Sequence, residues 1–421
     1  MSQSNAQESL SRAVDLLGSA RRKGIKLWSV NGQLHYKAPK GALSQEEIDK
    51  IRGSKRELIA LLQKTVVTDD IEFTVRSDIR PEIVPLSFSQ QAHWNEHRVY
   101  HLPDIRQIAS ATRLNGRLHI EVLRRSFDEM MRRHDALRTR IVHRDGVAVQ
   151  QVGKLNDFVL ELEDLTALPT QVQEKNVLRI IDELILQPID VSVDLLFGAR
   201  LIRLGQDEHV LIVVMEHMIS DASSMGIFLH DLFAAYTQIL RSEAVSLPDI
   251  PVQFADYAIW QQSTLNRFRE KHESYWNERW AGCGRLRFPE RKDIPAANRS
   301  GWECIPIHID KDLKTELREW CRLRRTTMVM TIFAAYVGLV LRWCNAPKAV
   351  FVFQSDGRFS PKIEKAIGFF ASALYLRIEL HDEDTFVDLA NQVAREYYQA
   401  YEHSDSCYME AQLPRRHRGA D

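Results

Sequence analysis

The spacing of hydrophobic positions changes along the chain and separates an N-terminal region from a longer one. Up to residue 64, helical spacing in ESLSRAVDLLGSARRKG is followed by strand-like runs on either side of Asn31-Gly32, and then by a helical pattern that breaks at Gly53. An Asn-Gly pair between such runs is typical of a type I′ turn. Residues 1–64 are therefore predicted to form a helix, a β-hairpin and further helices.

The predicted turn also decides which residues share a face of the hairpin. If Val30 pairs with Gln33, alternation places Trp28, Val30 and His35 on one face. A two-stranded ribbon beneath so few helices leaves a face and an edge exposed. Because basic residues, including Lys26, cluster around the hairpin, an acidic extended peptide could add to this edge as a strand. Alternatively, Trp28 packs on the following segment and the basic residues form a solvated rim.

Residues 65–83 lack any periodicity and are predicted to be a linker. From Val84 onwards, strand-like and helical periods alternate, which predicts a mixed α/β fold. An amphipathic helix containing Val122 and Met131 is predicted to lead into a strand at residues 139–142. The runs LFGARLIRLG and HVLIVVME are predicted to be neighbouring strands.

The stretch VVMEHMISDASSMGI, residues 213–227, joins the second of these strands to a helix predicted over residues 222–240. His217 and Asp221 lie in the intervening loop. The N–H groups of a first helical turn and the helix dipole favour negative charge that develops during a reaction. A catalytic histidine would be well placed here, although a buried structural histidine fits the same pattern.

Composition argues against several classes of partner. The 421 residues include 56 Lys+Arg and 57 Asp+Glu, so a net charge of -1 gives no general attraction to nucleic acid or to an anionic membrane. The longest apolar run, residues 328–341, is shorter than the roughly 18 residues of a membrane span, and the N-terminus does not resemble a secretory leader. We therefore expect a cytoplasmic protein that binds neither nucleic acid nor membrane.

Cysteine usage and motif spacing narrow the chemistry further. The 5 cysteines are scattered and form no C-x-x-C pair, which favours reduced thiols and predicts no metal site. No phosphate-binding glycine loop and no G-x-S-x-G elbow follows a predicted strand. The sequence therefore indicates neither a nucleotide-binding enzyme nor a serine hydrolase.

The longer region resembles the condensation domains of nonribosomal peptide synthetases in a series of motifs that follow the order of that family. The motifs are VPLSFSQQAHW (84–94), MRRHDALRTRIV (131–142), HMISDASS (217–224), FADYAIWQQ (254–262) and the segment from SDGR to LRIEL (355–380). HMISDASS is similar to the H-H-x-x-x-D-G core of the family. The resemblance implies an α/β, two-lobed, chloramphenicol acetyltransferase-like fold, with lobes at 84–255 and 256–421 and the second lobe incomplete at its C-terminal end.

The same resemblance implies an acyltransferase that forms an amide bond between a thioester donor on one carrier protein and an amino-acid acceptor on another, in nonribosomal peptide or hybrid polyketide biosynthesis. Phosphopantetheine on these carrier proteins would hold the substrates, and the domain would need no cofactor of its own. His217 is the residue that the resemblance ties to catalysis, and Asp221 is expected to form an ion pair with Arg358. The residues expected to support the core motif are Glu216, Asp221, Ala222, Ser224, Arg358 and Arg138.

The N-terminal region resembles the TubC-type docking domain in its order of elements and in GIKLWSVNGQLHYKAPKGALSQEEIDKI. In that family the unit receives the C-terminal peptide of the preceding synthetase subunit. An upstream synthetase protein is therefore the implied partner of residues 1–64, and its docking surface is expected at Trp28, Val30, His35 and Lys26.

The chain departs from the condensation family at positions 216 and 222, where Glu216 replaces a histidine and Ala222 replaces a glycine. Alternation along the strand is expected to direct Glu216 away from His217, to a position where its carboxylate needs a partner. Ala222 could narrow the path of the substrate arm or require a negative φ. Glu216, Asp221 and Ser224 also approximate the D-x-x-x-x-D-x-x-S core of heterocyclization domains. A degenerate or truncated domain that serves only as a docking scaffold is the other alternative.

Overall fold

A computed structural model describes residues 16, 26–30, 33–37, 44–64, 80–100, 107–155, 158–265, 269–283, 286–289, 306–324 and 326–401. Their contacts form two compact units. Unit I contains the described residues from 80 to 274 together with residues 354–373, and unit II contains the described residues from 16 to 64, from 275 to 353 and from 374 to 401. Each unit is described below by itself.

The N-terminal part of unit II has the predicted hairpin and the predicted pair of helices. Its elements are β1 (Lys26–Val30), β2 (Gln33–Lys37), α1 (Gln45–Gly53) and α2 (Lys55–Lys64). Val30 lies opposite Gln33, which confirms the predicted register. Leu27 and Leu34 pack against the buried residues Ile51 and Leu58, so one hairpin face is covered by the helices.

The other residues of the predicted docking surface are described only in part. The register places Trp28 opposite His35, and the side chain of His35 is exposed. The side chains of Lys26, Trp28 and Val30 lie outside the described residues, as does the predicted first helix apart from Leu16.

Unit I is built from two sheets and the helices that pack on them. Its elements are β3 (Ile83–Pro85), α3 (Phe88–Tyr100), β4 (Gln107–Asn115), α4 (Ile120–Arg133), β5 (Thr139–Arg144), β6 (Val147–Val152), β7 (Glu161–Asp164), α5 (Thr170–Leu186), β8 (Phe197–Arg203), β9 (Glu208–Glu216), α6 (Ala222–Leu240) and α7 (Phe254–Leu265). The sheet orders are β3-β6-β5 and β4-β9-β8-β7. β8 and β9 are antiparallel neighbours, as predicted.

Strand β9 is covered on both faces, which explains its unbroken apolar run. Val213 and Met215 belong to the core that α4 and α6 cover, whereas Ile212 and Val214 pack with buried residues of α5. A strand held in this way is a rigid support, and its last residue immediately precedes His217.

The compact units divide the chain differently from the predicted lobes. Helix α7 runs across the predicted boundary between residues 255 and 256, and Ile367 belongs to the core of unit I. At the other end, Arg80 lies within the predicted linker, yet its side chain is only 10% exposed and pairs with Asp256. These contacts are made by residues far apart in sequence, so local periodicity could not predict them. The lobe boundaries themselves stay a prediction.

The C-terminal part of unit II continues the mixed architecture. Its elements are α8 (Arg269–Trp280), which begins in unit I, α9 (Lys311–Arg324), α10 (Met328–Trp343), β10 (Lys348–Ser355), β11 (Ser372–Glu379) and α11 (Phe386–Tyr401). β10 and β11 are paired in a sheet. Among the described residues no single helix is long and apolar enough to cross a membrane, although α9 and α10 together would pass by length and composition with a bend of 100° between them.

Candidate active site

The site begins where β9 ends and the chain makes a 3-10 turn over His217–Ile219. The carboxylate of Glu216 accepts the N–H of Met218 at 2.6 Å, so it caps this turn. The hydroxyl of Ser220 donates to the carbonyl oxygen of Glu216 at 2.9 Å and closes the turn from the other side. Glu216 is 2% exposed and supports the loop, whereas His217 is only partly buried.

The imidazole of His217 is held by one hydrogen bond and by neighbouring rings. Its Nδ1 donates to the carbonyl oxygen of Ser220 at 2.8 Å. Because a carbonyl only accepts, the neutral ring carries its proton on Nδ1 and keeps the lone pair on Nε2. The ring of Phe369 lies 4.2 Å from that of His217, and the ring of His93 lies 5.5 Å from it, measured between centroids. The arrangement orients a basic nitrogen without a charged partner.

Asp221 is the N-cap of α6 and the centre of a dense set of hydrogen bonds. Its Oδ1 accepts the N–H of Ser224 at 2.8 Å. Its Oδ2 accepts the N–H groups of Phe370 and Ala371, both at 3.1 Å. The expected ion pair is present and bidentate, because Arg358 donates to Oδ2 at 2.7 Å and to Oδ1 at 3.0 Å. One carboxylate thus fixes the start of the helix and the segment around residue 370.

The partner guanidinium is equally enclosed. The side chains of Arg358 and Asp221 are 4% and 2% exposed. Arg358 also donates to the hydroxyl of Ser224 at 3.0 Å and to the carbonyl of Ala366 at 3.2 Å, and it lies over the ring of Phe370 at 4.6 Å. Charges this deeply buried need such partners, because a single stranded charge costs about 3–5 kcal/mol.

Two glycines allow the 354–373 segment to approach this pair. Gly357 has φ +63°, and a Cβ there would meet the carbonyl oxygen of Phe370 at 1.9 Å. A Cβ on Gly368 would lie 2.2 Å from the ring of Phe254. Both positions therefore exclude any larger residue unless the backbone moves.

Ser224 and Ala222 have opposite environments. Ser224 is fully buried, and its hydroxyl contacts Asp221, Arg358 and the backbone of Gly368. Ala222 is exposed, is the first residue of α6 and has a negative φ. The alanine is therefore accommodated without backbone strain.

Arg138 lies in a different part of unit I, in a group of residues that we call the anchor cluster: Arg80, Asp135, Arg138 and Asp256. Arg138 donates to Asp135 at 2.5 Å and to the carbonyl of Gly153 at 2.7 Å. Arg80 links Asp135 to Asp256, with bidentate hydrogen bonds to the latter at 2.8 and 2.9 Å. Within the described residues, none of these bonds reaches the His217 turn.

Sequence analysis missed three residues that the fold brings to the turn: Gln90, His93 and Phe369. His93 and Phe369 are recognisable only from the tertiary contacts. Gln90 carried a local signal, because Ser87-x-x-Gln90 has the spacing of a helix capping box. In the described part of the chain, no group of three His, Cys, Asp or Glu residues could hold a metal ion.

Comparison with known families agrees with both resemblances noted in the sequence. The condensation-domain pattern matches residues 81–416, and the pattern of the TubC N-terminal docking domain matches residues 14–64. A linear gramicidin synthase of Brevibacillus parabrevis is 31% identical over 328 residues, which is 77% of this chain. Isonitrile lipopeptide synthase of Mycobacterium tuberculosis is 28% identical over 335 residues, also 77% of this chain. This chain spans only 6% and 13% of the lengths of these relatives.

Solved structures show the same fold. The cyclization-docking bidomain of EpoB from Sorangium cellulosum superimposes with a TM-score of 0.72 over 96% of this chain and 80% of its own, at 20% identity. The X-domain from teicoplanin biosynthesis has a TM-score of 0.67 at 26% identity, covering 80% of this chain and 74% of its own.

Proposed function

We propose, because the chain belongs to the condensation-domain family, that His217 serves an acyl transfer in which a carrier-bound amine attacks a carrier-bound thioester. The observation that carries this proposal is the hydrogen bond from Nδ1 of His217 to Ser220, which leaves Nε2 as a base. The donor and acceptor would arrive on the phosphopantetheine arms of separate carrier proteins, and the domain would supply no cofactor of its own. Cytoplasmic location stays a prediction.

The chemistry requires one bond to form and one to break. The amine nitrogen attacks the thioester carbon, the C–N bond forms, and the C–S bond breaks to release the thiol of the donor arm. The nitrogen must lose a proton and the sulfur must gain one, so a base that accepts the first can return it to the second. An α-amine with a pKa near 8 is already neutral in a fraction of order a tenth at pH 7, so little prior deprotonation is needed. Nε2 of His217 is suited to this exchange, and orientation of the amine contributes alongside it.

The first turn of α6 is the proposed site for the oxyanion that forms during attack. The N–H of Ser224 is bonded to the Asp221 carboxylate and the N–H of Met225 to the Asp221 carbonyl. The first-turn donors that we propose for the oxyanion are therefore the N–H groups of Ala222 and Ser223. The bidentate Arg358 offsets the negative charge of Asp221, which would otherwise repel an oxyanion nearby.

The test is a transfer assay with one acyl-loaded and one aminoacyl-loaded carrier protein, and His217→Ala as the variant. Loss of a positioned base should lower kcat by about 10²–10⁴-fold. His209→Ala is the matched control, because His209 is a buried histidine in the same strand β9, and kcat should stay at the wild-type value. A soluble, folded wild-type chain that makes no product would contradict the enzyme and support the scaffold alternative.

The heterocyclization alternative is less well supported by the site. Two of the three residues that suggest it, Glu216 and Ser224, are buried and bonded to the turn or to the Asp221 ion pair. They therefore offer no surface to a substrate. Mass spectrometry of the product formed with a cysteine, serine or threonine acceptor separates the reactions, because cyclization after condensation removes one further water.

We further propose that residues 1–64 receive an acidic C-terminal peptide of an upstream synthetase subunit, added as a strand to the hairpin. Support comes from the covered Leu27/Leu34 face and the exposed His35 on the opposite register face. Trp28→Ala and His35→Ala should each weaken binding of such a peptide in a pulldown, whereas Tyr36→Ala, on the Leu34 face, should not. Equal binding by all variants would contradict the proposal.

A further inference from the structure

Helix α3 begins with a reciprocal pair of hydrogen bonds between Ser87 and Gln90. The N–H of Ser87 donates to the side-chain oxygen of Gln90 at 2.8 Å, and the N–H of Gln90 donates to the hydroxyl of Ser87 at 3.2 Å. This is the capping-box arrangement, which satisfies backbone donors that a helix leaves open at its start. It uses only the oxygen of the Gln90 amide and fixes the direction in which its NH₂ group points.

That NH₂ group reaches the turn that carries His217. It donates to the carbonyl of Met218 at 2.7 Å and to the side-chain oxygen of Gln150 at 3.1 Å. Gln150 in turn donates to the carbonyl of Pro85 at 2.9 Å. Gln90 and Gln150 are 0% and 1% exposed, so water cannot replace either bond. A buried, fully bonded amide of this kind has essentially one orientation.

Met218 is therefore held on both sides of its backbone. Its N–H is bonded to Glu216 within the turn, and its carbonyl is bonded to Gln90 from another helix. Because Met218 follows His217 directly, these bonds restrict rotation of the backbone that orients the imidazole. The bond from Gln90 is the one of the two that ties the turn to an element distant in sequence.

We propose that Gln90 is a positioning residue for His217: the amide that caps α3 also sets the backbone of the catalytic turn, so that Nε2 points at the reacting amine. The inference rests on the proposed condensation function and assigns to Gln90 a role in rate beyond its contribution to folding. A misplacement of about 1 Å at a reacting group can cost on the order of 10²-fold in rate. Loss of Gln90 should accordingly lower kcat by roughly 10–100-fold, with KM for either carrier protein within about twofold of wild type.

The experiment compares Gln90→Ala with Gln173→Ala in the full chain, in the same carrier-protein assay. Gln173 is a matched control because it is also a buried glutamine whose NH₂ donates twice, to the carbonyls of Leu165 and Leu204 at 3.0 and 2.9 Å. Both variants should lose similar stability in urea unfolding, but only Gln90→Ala should lose kcat. Equal kcat in the two variants would overturn the inference. Gln90→Met, which keeps the length without polar atoms, provides the same comparison if the alanine variant does not fold.

A double-variant cycle distinguishes positioning from general damage. In a His217→Ala background there is no imidazole to orient, so adding Gln90→Ala should lower the residual rate by less than about twofold. A further tenfold loss would show that Gln90 acts elsewhere and would overturn the proposal. An inactive wild type contradicts the condensation function itself, whereas an active wild type with an unimpaired Gln90→Ala contradicts only this inference.

Discussion

Unit I contains two clusters in which buried arginines pair with carboxylates, and only one of them touches the catalytic turn. Arg358 and Asp221 join the start of α6 to the segment at residues 366–371. The anchor cluster joins Arg80 to Asp135 and Asp256. The chemistry of the pairs is alike, but the elements that carry them differ. A buried ion pair therefore indicates where a fold is pinned, and the site is identified by the histidine turn that shares the element.

The clusters also differ in what the carboxylate holds besides its arginine. Asp221 accepts backbone N–H groups from Ser224, Phe370 and Ala371. In the anchor cluster, Asp256 accepts the N–H of Gln253, and Asp135 contacts two arginines. Removing Asp221 would strand more buried donors than removing any one member of the anchor cluster.

The largest effect is expected from Asp221→Ala. It leaves Arg358 and backbone N–H groups buried without acceptors, which should cost about 3–5 kcal/mol of unfolding free energy. Urea unfolding monitored by tryptophan fluorescence measures this loss. The double variant Asp221→Ala/Arg358→Ala should recover part of it, because the stranded charge is gone. A single variant within about 1 kcal/mol of wild type would contradict the structural role of Asp221.

Arg80→Ala should have a smaller effect on stability and none on rate. Asp256 keeps a hydrogen bond from Gln253 and Asp135 keeps Arg138, so the loss should be about 2–3 kcal/mol, in the range for hydrogen bonds to charged groups. The kcat of the folded fraction should equal that of wild type, because no bond of this cluster reaches the turn in the described residues. A tenfold fall in kcat would remove the distinction between the clusters.

A third charged group, His134 with Asp231 and Arg133, adds a dependence on pH. Burial lowers the pKa of His134, opposed by the nearby carboxylate of Asp231, with Arg133 and Asp135 also acting on it. The folded state therefore resists a proton that the unfolded chain binds below about pH 6.5. Stability should be fully present above that value and fall by up to about 1.4 kcal/mol per pH unit as the pH drops below it.

Urea midpoints between pH 7.5 and 5 measure this slope, with His134→Gln as the comparison. The variant has no group that titrates in this window at position 134, so its stability should depend less on pH between 6.5 and 5 than that of wild type. Parallel pH profiles for the two proteins would show that His134 does not cause the acid loss.

Local patterns predicted the parts of the site that are continuous in sequence. The apolar run of β9, the helical spacing after Asp221 and the Asn31-Gly32 hairpin each depend on neighbours within a few residues, and the structure confirms all three. The pairing of Asp221 with Arg358 came instead from resemblance to a family, because no period links positions that are 137 residues apart.

The contacts that sequence analysis missed are all long range. Gln90 meets Met218 across 128 positions, and Phe369 stacks on His217 only because the two glycines let its segment approach. The lobe boundary has the same origin, since compactness depends on which distant residues bury one another. Phe254 packs edge-on against Phe370, which helps to hold the start of α7 and the 354–373 segment in unit I.

The smallest effect is expected at Ala222, where the turn meets solvent and neither cluster acts. Ala222→Gly should lower stability by at most about 1 kcal/mol through helix propensity, because the side chain is exposed and φ is already negative. Gly226→Ala is the reciprocal control in the same helix: its added Cβ meets nothing within 4 Å, so stability should rise by a similar amount. Both variants should keep kcat/KM within about twofold of wild type if Ala222 acts only through the helix. A rise of fivefold or more in Ala222→Gly alone would instead mean that the methyl group obstructs the substrate arm, and that the turn's exposed edge, rather than its buried ion pair, limits the rate.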